Sequence, residues 1–255
     1  MKEEKLLNAI GKISDELVED SAISKKQKAH AKAWVKWTAM AACLCLIISA
    51  AAVISHDPQV SDFMLSEQTT AKVSLGYHNE AAVAGKADLQ YLTEEDMFSR
   101  EDMHVFRGRV SSIKNITIDF HGEKEFRCIA AVVIEEVYQG NLQPGSQISI
   151  LLPCPIDLSG IAVEDTDVIT QLESGMEGIF MPLVYREDSF MEMNGAVLMM
   201  RDLAPCGLSD GTRWVFLDTD RGLVFERTSY PEAAEAETLD DIADYVKDML
   251  KRYAK

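Results

Sequence analysis

The sequence lacks the patterns that mark many hydrolase and nucleotide-binding sites. It contains no His-Glu-x-x-His zinc motif and no phosphate-binding loop, and its five histidines are scattered along 255 residues. His78, His104 and His121 are each interpreted as a lone surface or strand residue. We therefore expect a binding or regulatory protein rather than an enzyme, with no cofactor and no metal ion.

Positive charge is scarce after the first 37 residues. Those residues hold eight lysines and six acidic side chains, a net charge of +2, whereas the whole chain carries −17. The remainder therefore carries −19. Such acidity argues against nucleic-acid binding by that part of the chain, because a phosphate backbone attracts cationic side chains.

Cysteine is also scarce. Of five cysteines, Cys43 and Cys45 lie inside an apolar run, and Cys128, Cys154 and Cys206 follow it. Three thiols allow at most one disulfide within the chain. Cys154 and Cys206 each sit in a proline-containing turn, and we predict that they form this bond. Buried free thiols are the alternative.

Long apolar runs are absent with one exception, since residues 37–55 carry no charge at all. At about 1.5 Å per residue, a helix of this length matches a hydrocarbon core of about 30 Å, so we predict a transmembrane helix at residues 37–56. Five lysines and no acidic residue lie between positions 25 and 36. By the positive-inside rule, we expect residues 1–36 to face the cytoplasm and the chain after about residue 56 to lie outside the cell membrane.

A cleaved signal peptide is the alternative to this anchor. Ala50, Ala51 and Ala52 offer small residues at a suitable cleavage point. Signal peptides, however, usually place their apolar region within a few residues of the N-terminus, and here 36 residues come first. This long leader favours an uncleaved anchor.

The first residues show the pattern of an amphipathic helix. Its apolar positions recur at spacings of four, three and four, which places them on one helix face: Leu6, Ile10, Ile13 and Leu17. So short a segment cannot build a core of its own. We therefore predict that this stripe binds another protein, a second copy of the helix or the membrane surface.

Residues 57–100 have a mixed, weakly periodic composition, which predicts a stalk or linker. Near its end, Thr93 and Asp96 have the spacing of a capping box at the start of a short helix. The predicted extracytoplasmic domain then spans residues 101–255.

The domain at 101–255 carries a β pattern that ends in a helix. Eight runs are rich in Val, Ile, Phe and Leu, namely 105–113, 126–137, 147–152, 178–185, 190–193, 196–200, 213–217 and 223–226. Asn194-Gly195 is a strong hairpin signal, because both residues accept positive φ. Thr238 is the predicted N-cap of a closing helix. The predicted fold class is a mainly β domain, an OB-like barrel or sandwich, with a C-terminal α-helix.

Two acidic segments have cation-binding alternatives. Asp218 to Gly222 has the alternating carboxylates of a calcium loop, but a hairpin between two apolar runs explains the same residues and is our interpretation. Four carboxylates between predicted strands are interpreted as part of a solvated loop: Glu164, Asp165, Asp167 and Glu173.

Two stretches resemble known families. The first comprises Leu6 to Glu19 (LLNAIGKISDELVE), a lysine-rich patch, and Trp34 to Leu44 (WVKWTAMAACL). It resembles the N-terminal part of anti-sigma-factor-like single-pass membrane proteins of clostridial bacteria. The resemblance implies a cytoplasmic segment that binds a sigma factor, one membrane helix and an outer domain that senses. The His-x-x-x-Cys-x-x-Cys motif of zinc-binding anti-sigma domains is missing.

The second stretch comprises Val132 to Gly140 (VVIEEVYQG), Pro144 to Ile150 (PGSQISI), and the spaced glycines Gly175 and Gly178 before Ile179. It resembles the strand, turn and strand of OB-like β-barrels of the netrin type. Such folds host binding more often than chemistry. Together the two resemblances imply a membrane-anchored anti-sigma-like regulator with an unidentified outer ligand. A surface-anchored binding module with no signalling role is the alternative.

Overall fold

The computed structural model describes residues 63–76, 91–156 and 166–253. All of them fall within one compact unit of the chain, whose bounds are Pro58 and Lys255. The predicted amphipathic helix within 1–36 and the predicted transmembrane helix at 37–56 lie outside the described residues. Within the described ranges, no helix combines the length and the apolar character needed to cross a membrane.

The described domain is mainly β with a C-terminal helix, which confirms this part of the predicted fold class. In chain order its strands and helices are β1 (Lys72–Leu75), α1 (Glu94–Phe98), β2 (Val105–Phe120), β3 (Glu123–Gln139), β4 (Gln147–Leu152), β5 (Glu177–Phe180), β6 (Leu183–Val184), β7 (Phe190–Met193), β8 (Ala196–Met199), β9 (Cys206–Gly207), β10 (Val215–Thr219), β11 (Gly222–Val224) and α2 (Leu239–Tyr253).

Nine of these strands form one curled sheet. Its order is β11-β10-β5-β2-β3-β4-β9-β6, and β1 pairs with the far half of β2. Met103, just before β2, forms a bridge with Leu183 of β6, so the last strand in this order returns to the start of β2. The sheet is thus a half-barrel. Helix α2 packs on it against β3, β5 and β10.

The long β2–β3 hairpin organises the sheet. His121 and Gly122 form its two-residue turn with φ of 52° and 99°, the positive values that such hairpin turns require. Nearer its base, Gly108 lies so close to β3 that a Cβ would stand 2.5 Å from the carbonyl oxygen of Val133. Only glycine permits this approach, and a register shift occurs at the same place.

Two hydrophobic cores lie along this hairpin. The larger core contains the first half of β2, the inner face of β3 and β4, strands β5 and β10, and helices α1 and α2. The smaller core contains the far half of β2 with residues of β8, and its main members are Ala71, Val73, Ile116, Ile118, Phe120, Ala196 and Leu198. One pair of strands therefore supports both cores.

The structure moves the N-terminal boundary of the domain. Residues 72–75 form β1, and α1 buries Met97 and Phe98 in the larger core, so residues 63–76 and 91–100 belong to the folded domain rather than to the predicted stalk. The physical reason is burial, because apolar side chains of both segments enter the cores. Residues 77–90 of the predicted stalk lie outside the described residues.

Candidate functional site

The candidate site is the place where the first described segment joins the domain. We call residues 63–76 the strap. Its strand β1 adds to the far half of β2, with Lys72 opposite Asp119 and Leu75 opposite Ile116. At its end, the amide of Gly76 donates a 2.8 Å hydrogen bond to the carbonyl oxygen of Asn115. The strap is therefore held on this side as an added strand.

The strap also pairs with the outer edge of β8. The amides of Thr70 and Ala71 donate to the carbonyl oxygen of Val197 at 2.8 and 3.0 Å. In return, the amide of Val197 donates to the Thr70 hydroxyl and the amide of Met199 donates to the Thr69 hydroxyl, both at 2.9 Å. Threonine hydroxyls here replace part of a regular backbone ladder.

A single carboxylate oxygen closes the attachment. Oδ2 of Asp202 accepts hydrogen bonds from the Ser66 amide at 3.0 Å, from the Ser66 hydroxyl at 2.9 Å and from the Thr69 hydroxyl. Burial alone would raise the pKa of the Asp202 carboxyl, but the hydrogen bonds from Thr69 and Ser66 outweigh it and hold the pKa below its usual value. We call this contact the clasp.

The apolar contacts beneath the strap all belong to the smaller core. Ala71 and Val73 are 4% and 3% exposed and enter that core, and the half-buried Phe63 and Leu65 pack against it. On the outside of the same region, Met64 is 98% exposed and Phe190 of β7 is 58% exposed. The strap is thus attached by polar contacts and a small apolar area. The arrangement holds an extended segment of this chain through backbone pairing and hydroxyl groups.

A second polar cluster lies in the loop before β10 and has a structural role. Asp210 is buried and accepts hydrogen bonds from the Thr212 amide at 3.0 Å, the Arg213 amide at 2.8 Å and the Trp214 indole at 2.7 Å. Nε and Nη2 of Arg213 also donate to it, at 3.0 and 2.8 Å. Burial alone would raise the pKa of Asp210, but its hydrogen bonds with Arg213 and Thr212 and the Arg213 charge keep the pKa low.

The same loop contains a motif that the sequence analysis missed. Gly207-Leu208-Ser209-Asp210-Gly211 matches the Gly-x-Ser-x-Gly pattern of nucleophile elbows. That motif acts in a sharp turn from a strand into a helix. Here it runs from β9 into the loop before β10, with Ser209 exposed, and Asp210 supports the loop. The motif therefore does not place Ser209 in the strand-to-helix turn that a nucleophile elbow requires.

The three cysteines of the domain are free, buried thiols in the structure. Cys128 lies opposite Leu152 of β4, and Cys206 pairs with Ile150 of the same strand. The predicted Cys154–Cys206 bond is therefore absent from the structure, which instead has the free-thiol alternative. Burial raises the pKa of Cys128 and Cys206 to about 12 and that of Cys154 to about 11, so these thiols are poor nucleophiles.

The other predicted positions are dispersed. The stripe Leu6, Ile10, Ile13 and Leu17 lies outside the described residues, as do His78, Glu164 and Asp165. His104 and His121 lie at opposite ends of β2, and Asp218 to Gly222 forms the hairpin between β10 and β11. Among the described residues, no group of three or more His, Cys, Asp or Glu side chains is arranged to hold a metal ion.

No family model and no curated protein matches this chain.

Proposed function

We propose that this chain is a membrane-anchored anti-sigma-like regulator with an extracytoplasmic sensing domain. The observation that carries the proposal is the order of its parts. In the sequence, a stripe of apolar residues at helical spacing is followed by a lysine-flanked apolar run, and the structure then shows a folded β domain. Such a chain has one segment that needs a partner on the inner side and one domain available to ligands on the outer side.

The strap follows the apolar run closely in the sequence, which supports a coupling between the outer domain and the proposed membrane anchor. Seven residues, 56–62, separate the end of the run from Phe63, the first described residue of the strap. If residues 37–56 span the membrane, the domain is joined to its anchor by a short connection. A change in how the strap is held then acts directly on the anchor.

For the outer domain we propose an OB-like architecture of the netrin type. Three features support this assignment: the antiparallel succession β2, β3 and β4, the return of β6 to the start of β2 through the Met103–Leu183 bridge, and the helix α2 on the curled sheet. The domain is proposed to bind a ligand rather than to transform one.

The function is tested with the full-length chain in cells, by cross-linking and identification of the captured proteins by mass spectrometry. We expect a sigma factor in the captured fraction. The variant Ile10→Asp with Leu17→Asp places charges on the stripe and should abolish capture. The matched variant Lys5→Gln with Lys12→Gln changes the opposite side of the helix and should retain it.

Two outcomes would correct this proposal. Capture of the same sigma factor by the double Asp variant would show that the stripe is not the binding surface. If the wild-type chain captures no sigma factor while its domain is displayed outside the cell, the chain is the surface-anchored binding module.

The topology has its own test. Protease added to intact spheroplasts should digest the chain after residue 57 and spare residues 1–36. Protection of the C-terminal domain would refute the orientation. A mature chain that starts near Val53 would identify the apolar run as a cleaved signal peptide.

A further inference from the structure

The strap lies at the edge of the described domain, and much of its polar attachment depends on one residue, Asp202. It reaches two elements far apart in sequence, the far half of β2 and the β8–Asp202 region, and Ser66 lies 136 residues from its acceptor Asp202. Its apolar contacts are confined to the smaller core, where Ala71 and Val73 are buried and Phe63 and Leu65 are half-buried, and none of its side chains enters the larger core. Its removal would leave the larger core intact.

We propose that the strap is a separable coupling element. Asp202 holds it on the domain through the clasp, and its release is the structural change that the domain passes to the preceding chain. The coupling role rests on the proposed function, whereas the separability of the strap rests on its contacts alone.

The contacts explain why release precedes unfolding of the domain. Segments with few buried apolar contacts open locally, at a lower free energy than the whole fold. Three donors converge on one oxygen of Asp202, so the loss of this carboxylate weakens both ends of the segment from Ser66 to Thr69 at once. Thr69 also accepts from the Met199 amide, which links the clasp to the β8 edge.

Hydrogen exchange measured by mass spectrometry on the full-length chain in detergent micelles tests separability. In Asp202→Ala, amides of residues 69–76 should exchange at least about tenfold faster, since hydrogen bonds to a charged acceptor are lost. Amides of α2 should exchange at the wild-type rate. Asp202→Asn keeps one acceptor oxygen and should give a smaller increase.

Two further variants make this measurement decisive. Ser66→Ala with Thr69→Ala removes the two hydroxyl donors to Asp202, keeps the Ser66 amide donor, and takes the Thr69 acceptor from the Met199 amide, so exchange of the strap amides should again accelerate while α2 keeps the wild-type rate. Asp188→Ala is the matched control, because this carboxylate is 81% exposed and pairs with Arg186 at the surface. If strap and α2 amides accelerate together, or if neither does, the strap is not separable and the proposal is overturned.

The coupling is tested by cross-linking capture of the sigma factor with the same full-length variants. Asp202→Ala should change recovery of the partner by at least about fivefold relative to wild type and Asp188→Ala, the lower range of allosteric couplings. Unchanged recovery with accelerated strap exchange overturns the coupling role. If the wild-type chain captures no sigma factor, the proposed function fails, and the coupling role that rests on it fails as well. The exchange measurements then still decide whether the strap is separable.

Discussion

The buried carboxylate of Asp210 offers a strong test of how this domain is stabilised. It lies among donors from Thr212, Arg213 and Trp214, and the paired side chains of Asp210 and Arg213 are only 4% and 10% exposed. Asp210→Ala removes the acceptor for all of them and takes a carboxylate partner from a buried guanidinium. Removing one partner of a buried ion pair costs about 3–5 kcal/mol. This is a large share of a typical stability of about 5–15 kcal/mol.

The measurement uses residues 58–255, in which Trp214 is the single tryptophan. Urea unfolding followed by its fluorescence gives the free energy of unfolding, and calorimetry should show a melting temperature lower by about 6–20 °C for a domain of this size. Asp210→Asn keeps one acceptor oxygen and should lose less stability. Asp220→Ala, in the exposed turn between β10 and β11, is the control and should change the free energy by about 0.5 kcal/mol or less. An equally small loss in Asp210→Ala would refute the reasoning.

Three further results are expected. Because the pKa of Asp210 is depressed in the folded state, its contribution is present above the unfolded pKa of about 3.9 and is lost as pH falls through the folded pKa. The stability gap between wild type and Asp210→Asn should therefore close in acid, and a constant gap would contradict this. At pH 8, a thiol reagent should label Cys128, Cys154 and Cys206 of residues 58–255 only after unfolding, and fewer than three labels would reveal a disulfide. Gly108→Ala should cost about 1–3 kcal/mol by overpacking against Val133, whereas Lys114→Ala on the exposed face of β2 should be nearly neutral in urea unfolding.

Features with a local steric cause could be predicted from the sequence. Asn194 and Gly195 adopt φ of 48° and 72° in the turn between β7 and β8, as their small side chains predict. Thr93 and Asp96 form the expected capping box at α1. The hydroxyl of Thr238 accepts from the Asp241 amide at 3.2 Å, so this residue caps α2.

Features that depend on tertiary pairing were missed or misassigned. The predicted run at 105–113 ends before the far half of β2, although Ile116, Ile118 and Phe120 alternate with polar residues and His121-Gly122 marks a turn. The inward face of β3 is also not evident from the sequence, since Val133 is half-buried whereas Val132 and Ile134 are buried. The run from Ile129 to Ile134 is apolar on both faces, so alternation gives no sign of which face points inward.

The candidate site could not be predicted from the sequence. Ser66 and Thr69 are ordinary polar residues in a segment of mixed composition, and their acceptor lies 136 and 133 residues away, respectively. No local pattern encodes a pairing over such a distance. The Asp210 cluster is different, since its donors lie within four residues and the Asp-Gly-Thr-Arg-Trp sequence is visible without a structure.

The separation between the strap and Asp202 also affects how the protein is made. Chains grow from the N-terminus at about 5–20 residues per second, so the strap waits roughly 7–27 s before its acceptor, 136 residues later, has been synthesised. During this interval β2, which borders Ala71 and Val73 in the smaller core, is already available, but β8 and the Asp202 acceptor are not. Full attachment of the strap is therefore a late step in biogenesis, completed only after β8 and Asp202 have been synthesised.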